Sequence, residues 1–351
     1  MAEPQIPANN YKSVNSTKVE KLTAVWALSE STLGGILHAL KFPFRGMIIS
    51  SVAVILICMI SGFSKFRGQI IKSTFIVILI KAAISPHTPL TAYLSVFTQG
   101  LLGELFFLSK KIKWLSALLL GITVAILNGF QKVLVLTIIY GTTLWKTIDD
   151  FLIYIIEEWL SISINLPVNF SYLIIGLYIG IHLIAGIITG ILAYRIQKSV
   201  QEKLDMNEIM IPLSISGNLE NNFKTKKKRG WIKPSALIIF ILSLVLILIS
   251  YLYPETGRFD ITAIVIMIAR SVMIITVWFY FIAPRVKSLI SKYLVSKKSG
   301  YAKEAESIIS TLPMIRLIIS SAWKYSATYK GMKRIRYFIT SALVNLLHST
   351  E

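Results

Sequence analysis

Apolar residues gather into eight stretches close to the length a helix needs to cross a bilayer, roughly 17–25 residues. They lie at about 22–40, 46–63, 70–85, 88–108, 114–141, 170–194, 234–253 and 260–284. Polar residues interrupt the first, third and fourth, and the fifth is long enough to tilt or protrude. The pattern predicts an all-α polytopic membrane protein with about eight transmembrane helices, a six-helix bundle followed by a two-helix hairpin. Residues 1–200 hold the six spans, and 201–233 read as a basic cytosolic linker. Residues 234–284 form the hairpin, turning at Pro254-Glu255-Thr256-Gly257. Residues 285–351 are too polar to span. They form a basic amphipathic tail with apolar residues at helical spacing (Ile308, Ile309, Leu312, Ile315, Ile318, Ile319, Ala322), broken by Gly300, Pro313 and Gly331.

Composition sharpens this picture. Apolar residues make up 54% of the 351 and charged residues only 15%, yet Lys and Arg outnumber Asp and Glu 37 to 17. A soluble domain carries nearer ~25% charge. A nucleic-acid binder this basic would not reach a mean hydropathy of +0.67, so nucleic acid is not an expected partner. The bases are placed unevenly. The tail after the eighth stretch holds twelve and the segment from Arg195 to Lys233 nine, including Lys226, Lys227, Lys228 and Arg229. The 142–169 loop carries Lys146 against Asp149, Asp150, Glu157 and Glu158. Basic loops mark the cytosolic side, which predicts a multi-pass protein of the cytoplasmic (inner) membrane with both termini inside. The start, with Glu3, Pro4 and Pro7, lacks the apolar core of a secretory signal. Lys41 and Arg45 fall in the first outer loop, against the trend, and so become candidates for ligand binding.

Ionisable and polar groups inside the bilayer are costly and face a cavity or a partner. Glu30, Gly34 and His38 recur every four residues and share one face, either lining an outward cavity or bonding to a neighbouring helix. Lys81 precedes Ser85-Pro86-His87-Thr88-Pro89, a loop that is either re-entrant or a rigid turn with Lys81 snorkelling. Gln99 is placed to meet Asn128, and Asn128, Gln131 and Lys132 lie near one face. Glu104 falls too far inward to pair with Lys132. Two small-residue pairs, Gly176/Gly180 and Gly186/Gly190, permit close helix approach around His182. Arg270, mid-span, needs an acidic, carbonyl or water partner. The lone Cys58 excludes an intramolecular disulfide. No phosphate-binding glycine loop, zinc-ligand helix or nucleophile elbow occurs, and His38, His87, His182 and His348 do not form a metal spacing. Neither a cofactor nor an enzymatic activity is expected.

Four stretches together resemble the substrate-binding (S) components of energy-coupling factor transporters. They are Thr23-Ala-Val-Trp-Ala-Leu-Ser-Glu-Ser-Thr-Leu-Gly-Gly-Ile-Leu-His38 with Lys41-Phe-Pro-Phe-Arg-Gly46; Ser85-Pro-His-Thr-Pro-Leu-Thr-Ala-Tyr93 with Gln99-Gly-Leu-Leu-Gly-Glu104; Asn128-Gly-Phe-Gln-Lys132 with Tyr140-Gly141; and the glycine-rich helix ending at Arg195. The resemblance covers residues 1–200. It implies a small vitamin or metal ion held from outside by outer loops and helix ends, a membrane-embedded T component and two cytosolic ATPases. It also implies a small-residue docking face on the first helix, here Thr23 and Ala27, where the family's usual alanine pair is absent. The hairpin and tail look like the end of a reduced T component, without its Ala-Arg-Gly triplets.

The expected function is therefore a membrane component of an importer for a small organic nutrient. Glu30, His38, Lys41, Arg45, His87, Gln99, Asn128, Gln131 and Lys132 would form its substrate site. Arg316, Lys330, Lys333, Arg334 and Arg336 would dock a cytosolic ATPase or membrane lipid. The alternative is a non-transport membrane scaffold that recruits proteins or anionic lipid through the basic tail. A third reading, an enzyme acting on a lipid phosphate through Lys41, Arg45 and Lys132, lacks an acid–base pair.

Overall fold

The computed structural model describes residues 8–34, 37, 40, 44–64, 66–85, 88, 90–109, 112–160, 169–206, 261–282, 284, 285, 288 and 301–348. Among them the chain is helical, with no strand. In order the helices are α1 (Ala8–Leu28), continued by a π-helical turn (Ser29–Leu33), α2 (Arg45–Phe63), α3 (Gln69–Ile84), α4 (Leu90–Phe106), α5 (Lys113–Tyr140), α6 (Thr143–Leu160), α7 (Phe170–Asp205), α8 (Ile261–Val277) with its π turn (Trp278–Ile282), α9 (Tyr301–Tyr325) and α10 (Gly331–His348).

Four of these are long and apolar enough to cross a membrane: Arg45–Phe63, Lys113–Tyr140, Phe170–Asp205 and Thr262–Ile282. They match the second, fifth, sixth and eighth apolar stretches. Helices α5, α7 and α8 with its π turn carry exposed large apolar side chains (Leu127, Phe130, Ile138, Leu173, Leu177, Ile184, Met273, Phe279), the surface a lipid-facing helix presents. The three stretches interrupted by polar residues behave differently. Helices α3 and α4 have only 16 and 17 residues. Helix α1 begins at Ala8, far into the polar N-terminal segment, rather than near 22. The 201–233 linker, apart from the end of α7 up to Met206, and the stretch at 234–253 lie outside the described residues.

The chain divides into two compact units. The first comprises residues 1–128, 182–221 and 290–351. Within it α1 packs against α2, α3, α9 and α10, and its core includes Leu22, Trp26, Ile57, Met59, Ile60, Ile80, Leu120, Ile315, Ile318 and Leu347. The tail helices therefore belong to this core. Ile308, Ile315, Ile318 and Ala322 are buried on α9, and Val344 and Leu347 on α10. Lys21 Nζ donates to Leu346 O at 3.0 Å, and burial pulls the Lys21 ammonium down from 10.5 to about 8. Pro313 does not break the tail pattern; it sits inside α9. Helices α5 and α7 touch backbone to backbone. A Cβ at Gly121 would lie 2.5 Å from Gly186 O and 2.9 Å from Gly190 Cα, and one at Gly190 would lie 2.6 Å from Leu118 Cα. Only hydrogens fit there.

The second unit comprises residues 129–181 and 222–289. It contains a helix the charge pattern hid, because α6 reads in sequence as an acidic loop. Its apolar residues (Leu144, Trp145, Ile148, Leu152, Ile155) repeat at helical spacing. Its Asp149 accepts hydrogen bonds from Ser171 N at 2.6 Å and Ser171 Oγ at 2.8 Å, capping the start of α7. Arg270 finds a carbonyl, with Nη2 donating to Ile138 O at 3.4 Å. This places a cation at the C-terminus of α5, where the helix dipole favours it. Gly141 ends that helix with φ +78°, a left-handed conformation suited to glycine, and a Cβ there would meet Arg270 Nη1 at 2.9 Å.

Candidate functional site

The site grows from a local irregularity. Three hydroxyl residues in four positions follow Leu28, and each bonds backward: Ser29 Oγ to Trp26 O at 2.8 Å, Ser31 Oγ to Ala27 O at 2.7 Å and Thr32 Oγ1 to Leu28 O at 2.7 Å. Such bonds compete with the regular helical ladder. Here the backbone widens to a π turn over Ser29–Leu33, a form often found at functional sites.

Glu30 projects from this turn and accepts a hydrogen bond from Lys81 Nζ of α3, with Nζ and Oε2 2.6 Å apart and the side chains 3% and 7% exposed. Lys81 does not snorkel to the surface. The second carboxylate oxygen, Glu30 Oε1, is buried and has no hydrogen-bond partner among the described residues. Trp26 Nε1 lies beside the carboxylate but outside hydrogen-bond geometry. The next turn of α3 ends at Ser85, whose Oγ donates to Ser31 O at 3.3 Å. Ser85 O accepts from Thr88 N at 3.1 Å, Thr88 Oγ1 at 2.8 Å and Tyr93 OH at 3.4 Å. The pair is thus bracketed by a polar seam joining the ends of α1 and α3 to the start of α4.

A second polar network lies on α4 and α5. Gln99 Nε2 donates to Ser95 Oγ at 3.0 Å, and Ser95 Oγ donates to Asn128 Oδ1 at 3.0 Å. The expected meeting of Gln99 and Asn128 is made through Ser95, which the sequence reading did not single out. Gln99 Oε1 and Asn128 Nδ2 are both buried and unpartnered among the described residues.

Other candidates sit elsewhere. His38, Lys41 and His87 lie outside the described residues. Arg45 is exposed at the start of α2, Gln131 is half-buried and Lys132 exposed on α5. Glu104 caps α3: Oε1 accepts from Gly68 N at 2.6 Å and Oε2 from Ile70 N at 3.1 Å and Ile71 N at 3.4 Å. His182 is buried with its ring 6.3 Å from that of Phe44. Further along, Ser51 Oγ meets Thr189 Oγ1 at 2.9 Å and Cys58 Sγ meets Gln197 Oε1 at 3.2 Å, fastening α2 to α7.

The docking face implied for α1 is already covered. Ala27 and Thr23 are buried, and Thr23 Oγ1 lies 2.8 Å from both Val19 O and Ser73 Oγ. Of the tail bases, Arg316, Lys330, Lys333 and Arg336 are exposed. Arg334 stacks over Trp323, 4.3 Å from its ring centroid.

Lys81 is the main site residue that the sequence reading left out of its substrate set. Its signal was available: Glu30 and Lys81 are opposite charges inside predicted spans, the first near the middle of its stretch and the second toward the outer end. Comparison with protein-family models, curated proteins and solved structures returns no match to this chain.

Proposed function

We propose that this chain is a membrane component of an importer that binds a small organic nutrient from outside, with energy supplied by separate ATPase subunits. One observation carries this reading: the buried Glu30–Lys81 pair beside a π turn, with one carboxylate oxygen left without a partner. Taking two charges out of water opposes folding, so such a pair adds little stability over apolar packing. Ionisable groups within membrane helices more often mark a substrate or ion path. In this reading the bases from Arg195 to Lys233 and in the tail hold both termini in the cytosol. The test is native mass spectrometry of the full chain extracted in mild detergent. Wild type retains a small organic molecule, and Glu30→Gln and Lys81→Met lose it while remaining folded. A wild-type chain that carries no small molecule under any extraction condition sinks the proposal.

A second reading, a membrane scaffold working through its tail, is favoured by the surface of α9 and α10. Trp323, Tyr325 and Tyr329 are exposed there among Lys324, Lys330, Lys333 and Arg336, a pairing of aromatic and basic groups suited to an anionic interface. In that reading the buried polar groups serve as fasteners, and Glu30→Gln lowers stability with no ligand to lose.

A further inference from the structure

We infer that the Gln99–Ser95–Asn128 network is a ligand subsite that reads an uncharged amide edge, a carbonyl acceptor beside an N–H donor as in a carboxamide, lactam or ureide. This inference rests on the importer reading and names the substrate class for it.

The argument is one of proton counting. Ser95 and Gln99 are four residues apart and share a face of α4; Asn128 reaches them from α5. The Ser95 hydroxyl carries one proton. It gives that proton to Asn128 Oδ1 at 3.0 Å and accepts one from Gln99 Nε2 at 3.0 Å. One carbonyl oxygen, Gln99 Oε1, and one amide nitrogen, Asn128 Nδ2, remain with no partner at all among the described residues, both buried, with the whole Gln99 residue only 4% exposed. Reversing both amides about Ser95 changes which residue supplies which, because the hydroxyl then donates to Gln99 and accepts from Asn128. It still leaves one amide nitrogen and one carbonyl oxygen without a partner. The unpaired chemistry of the network is therefore the same in these two arrangements.

That pair selects its ligand. A carboxylate meets Asn128 Nδ2 but is repelled by Gln99 Oε1. An ammonium or amidinium does the reverse. A group offering one N–H and one C=O satisfies both. Among the described residues no charged side chain bonds to the network, and the buried Glu30 and Lys81 are paired with one another. Buried polar groups built to meet a ligand donor and acceptor reject an analogue lacking either, because the site's own groups are then left unpaired.

The test uses three probes of equal shape, benzamide, benzoate and benzamidine, with the full chain in lipid nanodiscs and binding measured calorimetrically. Wild type should bind benzamide at least tenfold more tightly than either charged probe. Asn128→Asp replaces the donor with an acceptor, so it should weaken benzamide at least tenfold and bring benzamidine to first place. A fastener role would produce no such inversion. Gln99→Met, nearly isosteric and apolar, should lose benzamide preference without gaining benzamidine, and it serves if Asn128→Asp does not fold. Equal binding of all three probes, no binding of benzamide, or an unchanged order in Asn128→Asp overturns the inference. If those results come with a small molecule still retained by wild type and lost in Lys81→Met, the importer reading survives and only the amide subsite is wrong. If wild type retains nothing, both fall.

Discussion

Lys81 Nζ lies 2.6 Å from Glu30 Oε2, linking α3 to the π turn after α1 with both side chains nearly sealed from solvent. Removing one partner strands the other charge in an apolar interior, which costs ~3–5 kcal/mol, whereas replacing both with apolar groups of similar size is often neutral. Glu30→Gln and Lys81→Met alone should each lower the unfolding midpoint clearly. The Glu30→Leu/Lys81→Met double variant should recover most of the loss. Chemical unfolding in detergent across the four chains measures this. Additive losses in the double variant would show that the pair is not an energetic unit.

The two glycine pairs of α7 should behave oppositely. Gly186 and Gly190 face backbone atoms of α5 that cannot give way: a Cβ at Gly186 would sit 2.7 Å from Gly121 O. At Gly176 and Gly180 a Cβ meets nothing within 4 Å among the described residues. Gly190→Ala and Gly121→Ala should destabilise by ~1–3 kcal/mol, the usual cost of overpacking. Gly176→Ala should be neutral or slightly stabilising, since alanine is the better helix former. Thermal midpoints in a common detergent compare them, and a Gly190→Ala protein as stable as wild type would contradict the close approach.

Lys21 sets a pH dependence. Burial lowers its pKa from 10.5 to about 8, so between those values the unfolded chain binds more protons than the folded one. Stability therefore rises with pH across that window. Below pH 8 both forms are charged, and the full penalty of holding an ammonium against the Leu346 carbonyl is present. Lys21→Met removes the titrating group. Unfolding measured from pH 7.5 to 10.5 should show wild type gaining stability relative to Lys21→Met. Parallel curves would mean that Lys21 titrates normally.

Much of this architecture was legible in residue pattern, and the exceptions have physical causes. Four apolar stretches with few charges became helices of spanning length, because an uninterrupted apolar surface needs no neighbour to declare itself. Helices α3 and α4 stop short, α3 between Gly68 and the Ser85 turn and α4 between Leu90 and Phe106, and the start of α3 is capped by a side chain from another helix. Glu104 caps α3 across 33–36 residues of chain, a relation that no local window contains. Helix α6 is hidden in sequence because its acidic residues read as loop charge, although its apolar residues repeat at helical spacing. Depth alone pairs Gln99 with Asn128, but Ser95, one serine in an apolar run, takes its bridging place only where the two helices lie side by side. Lys81 reads locally as a snorkelling base because its partner lies 51 residues away.

The tail illustrates why a deletion is the wrong test of its role. Ile315, Ile318 and Leu347 are buried in the same core as Trp26 and Leu22, so removing residues 301–351 would expose that core and lose partners by unfolding. Ile315→Ala alone should destabilise by ~2–5 kcal/mol, the range for a buried large-to-small change. The exposed bases make the cleaner probe. Lys330, Lys333 and Arg336 touch water rather than the core, so reversing all three to Glu should leave the unfolding midpoint almost unchanged, while cancelling attraction to an acidic partner or an anionic lipid surface. Charge attraction of this kind weakens with salt. Co-purification of a cytosolic ATPase from the native host, and retention of anionic lipid by native mass spectrometry, should both be measured at 50 and 500 mM salt. If the tail docks an ATPase, the triple reversal and high salt each abolish ATPase recovery. If it instead meets the membrane surface, they reduce anionic lipid and leave ATPase recovery untouched. A triple variant that keeps both at wild-type levels would leave the tail with a packing role alone.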